Sequence, residues 1–422
     1  MTEESIANAP DHSSLAPSPI PRGGEGRKNP GGERGGEIAA GRGKARRAEG
    51  GSRGDGGPPA LDFAKAPFLV IWEVTQACEL VCRHCRAEAR PWRDDGELST
   101  EEGSRLLAEV RRFGRPLMVL TGGDPAMRPD LCDLIRRGTD LGLRMTLTPS
   151  GTPRMTRDRV RACGEAGLQR MAVSLDGSTP AVHDAFRGVR GSYRWTMDII
   201  AGCHAEGIPV QINTTVTRHN LHDLAALEDL MLRLDIVLWS VFFLVPTGRG
   251  RREDAFTAKG FETVFHRLYD LGRDAPFDIK TTAAPHYRRV VLERDRAGGR
   301  PTAALKGVPS VPWGGGNSDG PIGRSAQGVN DGKGVVFVSH RGDIYPSGFL
   351  PLKAGNVRYH SLVDVYRRST LFLDLRDTGM LKGKCGRCEY REVCGGSRAR
   401  AYAVTGDYLA PEPYCVYRPP KR

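Results

Sequence analysis

The chain has 422 residues, of which 39% are hydrophobic and 27% charged, and its formal net charge is +12. That length and composition exclude a single small domain, a collagen-like fibre and a wholly disordered chain. No run approaches the roughly 18 uninterrupted apolar residues of a membrane span.

The N-terminus lacks the apolar centre of a secretory signal, so the expected location is the cytoplasm, with no membrane partner. Ten cysteines in such a reducing compartment read as metal ligands rather than disulfides. Residues 1–60 carry nine Lys/Arg against eight Asp/Glu, so nearly all of the positive excess lies further on. There it is scattered as pairs such as Arg136-Arg137, Arg251-Arg252 and Arg288-Arg289. Without a lysine-rich tail or an aromatic-interleaved basic stripe, a nucleic-acid partner is not expected. A cationic cleft for an anionic substrate stays open.

Residues 1–64 are rich in Gly, Pro and Arg and have almost no aliphatic side chains, which predicts a disordered tail. Order is predicted from near Pro67, where residues 68–72 form a β-like run leading straight into Cys78, Cys82 and Cys85. Ser99-Thr-Glu-Glu reads as a helix N-cap, opening a helix to about residue 112. Strands follow near 117–121, 144–148, 170–175, 210–216 and 237–245. Helices separate them near 129–141, 157–166, 195–206 and 221–234. Six strands alternating with helices predict a parallel, right-handed wound α/β sheet, with active groups at the strands' C-terminal edge. Residues 256–295 add a helix and an extended piece. Residues 296–333, with Gly314-Gly315-Gly316, read as a flexible connection, and 334–422 as a second compact region.

The cysteines carry the chemistry. Cys78, Cys82 and Cys85 stand as C-x3-C-x2-C. A cubane iron–sulfur cluster needs four ligands, so three thiolates leave a position open, which marks a catalytic rather than a structural metal site. A zinc knuckle is the alternative, although His84, lying between two of the thiols, is awkwardly placed as a fourth ligand. A second array, Cys385-x2-Cys388-x5-Cys394 with Cys415 twenty residues on, would close a shell by itself, as a zinc ribbon or a four-cysteine cluster. Cys132, Cys163 and Cys203 fall within predicted helices and read as core thiols.

These motifs together resemble the radical S-adenosylmethionine enzymes over about residues 66–422. The resemblance implies a partial (β/α)6 parallel barrel over 65–295, a small C-terminal iron–sulfur domain over 334–422 and a disordered N-terminal tail. It implies a 4Fe–4S cluster on Cys78, Cys82 and Cys85, with S-adenosylmethionine chelating the fourth iron through its amino and carboxylate groups. Gly122-Gly123-Asp124-Pro125 is similar to the family's Gly-Gly-Glu-Pro turn, with Asp for Glu. Ser174, followed by Asp176 and Arg187, resembles the segment that meets the ribose and methionine carboxylate. Asn213, Thr215 and the backbone at Val245 match further cofactor contacts. His84 stands where an aromatic residue often stacks on the adenine.

The second array resembles a reduced SPASM, or twitch, extension. That pattern's seven cysteines are incomplete here, with Ser347 and Arg398 standing where two of them would fall. One fully ligated auxiliary 4Fe–4S cluster on Cys385, Cys388, Cys394 and Cys415 is therefore implied, rather than two. The resemblance implies a peptide or a tetrapyrrole as substrate and a flavodoxin- or ferredoxin-type electron donor. For a propionate-bearing tetrapyrrole, Arg288 and Arg289, just after His286, would serve as a carboxylate clamp. The alternative is a zinc-binding structural or nucleic-acid-binding protein.

Overall fold

Strand β1 (Leu69–Thr75) buries Val70, Trp72 and Val74 completely, and the residues between them face the other way. The same period of two recurs in β2 (Leu117–Gly122), β3 (Arg144–Leu147) and β4 (Arg170–Ser174). It continues in β5 (Val210–Val216) and β6 (Leu238–Phe243). Met118, Leu120, Met145, Leu147, Met171, Val173, Ile212, Trp239 and Val241 join one core under the helices. These are the six strands expected from the sequence. The computed structural model describes residues 62–298 and 328–420. The predicted tail up to residue 61, and residues 299–327 of the predicted connection, lie outside them.

Two further strands extend the parallel sheet. β7 (Asp278–Thr282) pairs with β6 and is the extended piece of the sequence reading. β8 (Val335–Val338) comes from the C-terminal region and pairs in parallel with the other edge of β1. β9 (Asp343–Tyr345) and β10 (Gly355–Asn356) continue antiparallel. The order is β10-β9-β8-β1-β2-β3-β4-β5-β6-β7, so β7 and β10 are edges and the sheet is open. β7 escaped a strand assignment because Asp-Ile-Lys-Thr-Thr holds one aliphatic residue, too little for an alternating signal. The described residues belong to one compact unit. Among the described residues no helix is long and apolar enough to cross a membrane.

Along β5 the face turned away from the helices is polar. β5 alternates between buried Val210, Ile212, Thr214 and Val216 and partly accessible Gln211, Asn213 and Thr215. A sheet covered by packing on both faces would read as a continuous apolar run; this one keeps its inner face within reach of water.

The helix Thr100–Arg111 starts at the expected cap: Ser99 Oγ accepts from Glu102 N at 3.2 Å, and Glu102 accepts from Ser99 N at 2.9 Å. Arg358 then clasps Glu102 with its Nε at 2.7 Å and Nη2 at 2.8 Å. This bond holds the Glu102 carboxyl down to about 2. The sign follows: a depressed carboxyl adds stability that is full above its unfolded value, about 4.3, and is lost as pH falls through about 2. Arg358→Ala is expected to flatten that acid limb by less than about 1 kcal/mol, because the pair is partly exposed. Thermal midpoints between pH 2 and 5 provide the measurement.

Candidate active site

The cysteine loop leaves β1 and is tied down by backbone. Cys78 N donates to Arg90 O at 2.7 Å, and Cys85 N to Cys82 O at 3.3 Å. From the turn after β6, Arg249 Nε donates to Cys82 O at 3.0 Å and Arg249 N to Cys85 O at 2.9 Å. Gly248 makes that approach possible: its φ is +57° and a Cβ there would lie 2.5 Å from Cys85 O. Nothing local in the sequence marks Gly248 and Arg249, since their partners lie about 160 residues away.

Cys78 and Cys82 are buried and Cys85 is half-buried. Burial pushes the Cys78 thiol up to about 12 and raises Cys82 as well. Thiols so placed ionise where a cation compensates them, which iron supplies. Leu80 N already donates to Cys78 Sγ at 3.3 Å. Arg187 Nη1 lies 3.7 Å from Cys82 Sγ and is ion-paired with the fully buried Asp176. Asp176 Oδ1 in turn accepts from Thr215 N at 2.6 Å. The donor set fits a thiolate-held cluster. Among the described residues no three His, Cys, Asp or Glu side chains close around a single metal ion; a four-iron cluster is a wider body whose thiolates stand further apart.

The Gly122-Gly123-Asp124 turn packs directly on this loop. Gly123 N donates to Thr75 O at 2.8 Å and Asp124 N to Ala77 O at 2.6 Å. A Cβ on Gly122 or Gly123 would meet Thr75 O or Ala77 O at 2.4 Å, so both glycines serve that approach. The Asp124 carboxylate turns inward and is fully buried. It accepts from Ala126 N, Ser150 N and Thr152 Oγ1, the last at 2.6 Å. Its side chain therefore holds the turn to the segment after β3.

Ser174, the last residue of β4, and Asn213, midway along β5, are register partners, and Thr215 follows on the same face. Val245 lies just past β6, buried against Leu350 and Ala399. The His84 ring stacks on Phe186 with centroids 4.6 Å apart. Burial, then Arg187 and Arg249, keep its imidazole well below the usual value and therefore neutral. All of these residues border the C-terminal ends of the strands or the cysteine loop.

Cys385, Cys388, Cys394 and Cys415 line one pocket. Glu412 N donates to Cys385 Sγ and Gly396 N to Cys394 Sγ, each at 3.3 Å. Burial raises the thiols of Cys388 and Cys415 and pushes Cys394 up to about 12. Arg289, Lys384 and Arg391 rim the same pocket, supplying positive charge. Four thiols converging under cationic groups fit a closed cluster shell. Arg398 is buried and donates to Tyr408 O at 2.9 Å and Ala410 O at 2.8 Å, while Ser347 Oγ accepts from Phe349 N at 3.2 Å. His286, buried between Phe261 and Phe265, also lines the pocket, and neither ring nitrogen has a hydrogen-bond partner.

The expected carboxylate clamp is not formed. Arg289 is ion-paired with Glu262 at 2.5 Å and Glu293 at 2.6 Å, and Arg288 donates to Val393 O and Val329 O, both at 3.1 Å. Glu293 lies one turn on in the same helix, but Glu262 and the two carbonyls come from other elements, which a run of basic residues in sequence does not reveal. Cys163 and Cys203 are core thiols as expected, and Cys132 packs 3.7 Å from Cys163.

A parallel α/β sheet with an open three-cysteine loop at its C-terminal edge defines a radical-type iron–sulfur enzyme. Residues 72–231 match the radical SAM superfamily. The chain is 40% identical to the AdoMet-dependent heme synthase of Methanosarcina barkeri, over 86% of its own length and 100% of that protein. It is 41% identical to the AdoMet-dependent heme synthase of Nitratidesulfovibrio vulgaris, over 86% of this chain and 96% of that one. Streptococcus suis SuiB bound to S-adenosylmethionine shares the fold, with a TM-score of 0.64 over 84% of this chain and 78% of that one, at 16% identity. The chain belongs to the radical SAM superfamily and is an enzyme that uses S-adenosylmethionine and a 4Fe–4S cluster.

Proposed function

We propose that this enzyme is a haem synthase that converts propionate side chains of an iron porphyrin to vinyl groups. The observation that carries this reading is the 40% identity to a heme synthase over that protein's whole length. Cys78, Cys82 and Cys85 hold the catalytic cluster. The Gly122-Gly123-Asp124 turn, Ser174, Asn213, Thr215, the Val245 backbone and His84 hold S-adenosylmethionine beside it. Cys385, Cys388, Cys394 and Cys415 hold an auxiliary 4Fe–4S cluster. Arg398 and Ser347, where a fuller pattern would place cysteines, support a single auxiliary site. Residues 65–295 form the catalytic region, 334–422 the auxiliary one and 296–333 the connection, and a flavodoxin- or ferredoxin-type protein donates the electron.

When bound, the cofactor and catalytic cluster supply a 5′-deoxyadenosyl radical. Loss of one hydrogen atom from the propionate carbon next to the ring leaves a substrate radical. Carbon dioxide departs from the carboxylate end, the C–C bond breaks and a vinyl group forms. One electron is left over, and a four-cysteine cluster is a suitable acceptor. The chain's own task is to hold the side chain against the radical source and to keep water out. Val245, Leu350 and Ala399, packed with Phe349 and Leu352, make an apolar wall at that edge.

The test is anaerobic turnover of the reconstituted full chain with S-adenosylmethionine, a reductant and an iron porphyrin carrying four propionates. The expected result is one 5′-deoxyadenosine per carbon dioxide, with mass spectra showing vinyl groups in place of propionates. An unchanged porphyrin alongside cofactor cleavage would sink the reading.

A further inference from the structure

The inner face of the sheet carries a charged residue that none of the roles above uses. β7 reads Asp278-Ile279-Lys280-Thr281-Thr282. Ile279 packs toward the helices, its Cδ1 facing Gly272 of the helix Ala258–Asp274. Lys280 therefore points to the opposite face. Register places it in one row across four strands, Ser174, Asn213, Ser240 and Lys280. Ser240 Oγ lies 3.1 Å from Thr282 Oγ1, so the inward side chains of β6 and β7 meet on that face. The row thus runs from the proposed cofactor contacts at Ser174 and Asn213 to a lysine.

Among the described residues the Lys280 side chain has no hydrogen bond and no ion pair, although it is only partly accessible. Burial first, then the neighbouring Arg170 and Arg288, push its ammonium down to about 8, while Asp278, two residues back on the same face, acts on Arg170. Arg170 reaches Gln211 Oε1 at 3.3 Å, and Arg288 is bound to backbone carbonyls. A lysine that merely guards an edge strand projects into open water; this one is held inward beside two guanidinium groups. A partly desolvated ammonium with no carboxylate paired to it disfavours the empty site and favours an anion. The same face is apolar elsewhere: Phe242 packs against Phe349 at 6.3 Å, and Ile71 and Val119 occupy the inward positions of β1 and β2. An apolar wall beside a cationic one suits a flat hydrophobic ring with carboxylate arms.

We infer that Lys280 binds a carboxylate of the substrate, anchoring one acidic arm on the inner face while another is presented to the radical source. The inference rests on the porphyrin reading above and assigns the substrate's charge to a residue. It makes Lys280 a specificity-determining residue that selects the free acid over its ester.

The experiment is a Soret-band titration of the anaerobically reconstituted full chain, at matched iron content. Its probes are an iron porphyrin with four free propionates and the tetramethyl ester of the same porphyrin. Wild type is expected to prefer the acid. Lys280→Met is expected to raise the Kd for the acid about tenfold and leave the Kd for the ester unchanged, while Lys280→Arg keeps the preference. Equal binding of the acid by wild type and Lys280→Met overturns the lysine's role alone. Failure of wild type to bind the acid overturns the porphyrin reading together with it.

Discussion

Cys82→Ala is expected to abolish reductive cleavage of S-adenosylmethionine and to halve the iron content, from roughly eight atoms per chain in two four-iron clusters to roughly four. Cys82 is buried, and only its sulfur faces the Arg187 guanidinium. Burial would lower Arg187, but Asp176 and Cys82 beside it hold it above its ordinary value, so the cation stays in place. Truncation removes one of three thiolates and leaves Arg187 facing an empty position beside a buried acid. Cys132, Cys163 and Cys203 belong to helices on the other side of the sheet and offer no substitute. The four cysteines of the C-terminal pocket are a separate set, so their half of the iron should persist. Cys394→Ala is the mirror experiment: iron falls by the same amount while cofactor cleavage continues, and porphyrin product is lost. Iron analysis, absorbance near 400 nm and chromatography of 5′-deoxyadenosine read both variants. Continued cleavage in Cys82→Ala would remove the assignment of the catalytic ligands.

The grouping of the cysteines into two arrays was legible in the sequence because short spacings keep thiols close in space, and Cys385, Cys388, Cys394 and the more distant Cys415 do line one pocket. The six central strands were legible because each is anchored by two or more apolar residues on its helix side, such as Met145 and Leu147 or Met171 and Val173. β7 and β8 were not, since one is an edge strand with polar inward residues and the other is separated from β1 by more than 250 residues. Side-chain roles were the least legible. The acid of Gly122-Gly123-Asp124 points into the turn rather than outward, because Ser150 and Thr152 meet it there. Arg288 and Arg289 look like a free basic pair in sequence, yet carbonyls, Glu262 of another helix and Glu293 of their own occupy them. Lys280 looks like an ordinary strand lysine until its row and its cationic neighbours are in place.

The largest loss of stability is expected from breaking the Arg400–Glu412 pair. Both side chains are fully buried, with Arg400 Nη1 3.2 Å from Glu412 Oε2. Arg400 also donates to Phe243 O at 2.9 Å and Leu244 O at 3.0 Å, carbonyls at the end of β6. Glu412 accepts from Ser397 N and Tyr414 N, while its own N–H reaches Cys385 Sγ. The pair thus ties the C-terminal edge of the sheet to the four-cysteine pocket. Burial alone would raise the Glu412 carboxyl, but Arg400, then His286 and the two backbone donors, carry it below its usual value. Its contribution to stability is therefore full above the unfolded carboxyl value, about 4.3, and fades as pH falls through the lower folded value. Arg400→Met leaves a buried carboxylate without its cation and is expected to cost about 3–5 kcal/mol. The double variant Arg400→Met with Glu412→Met is expected to recover a large part of that loss, because no charge then remains buried. Urea midpoints at pH 7 on the reconstituted chain measure both variants. Strictly additive losses in the double variant would mean that the two side chains act independently and that the tie between sheet edge and pocket lies elsewhere.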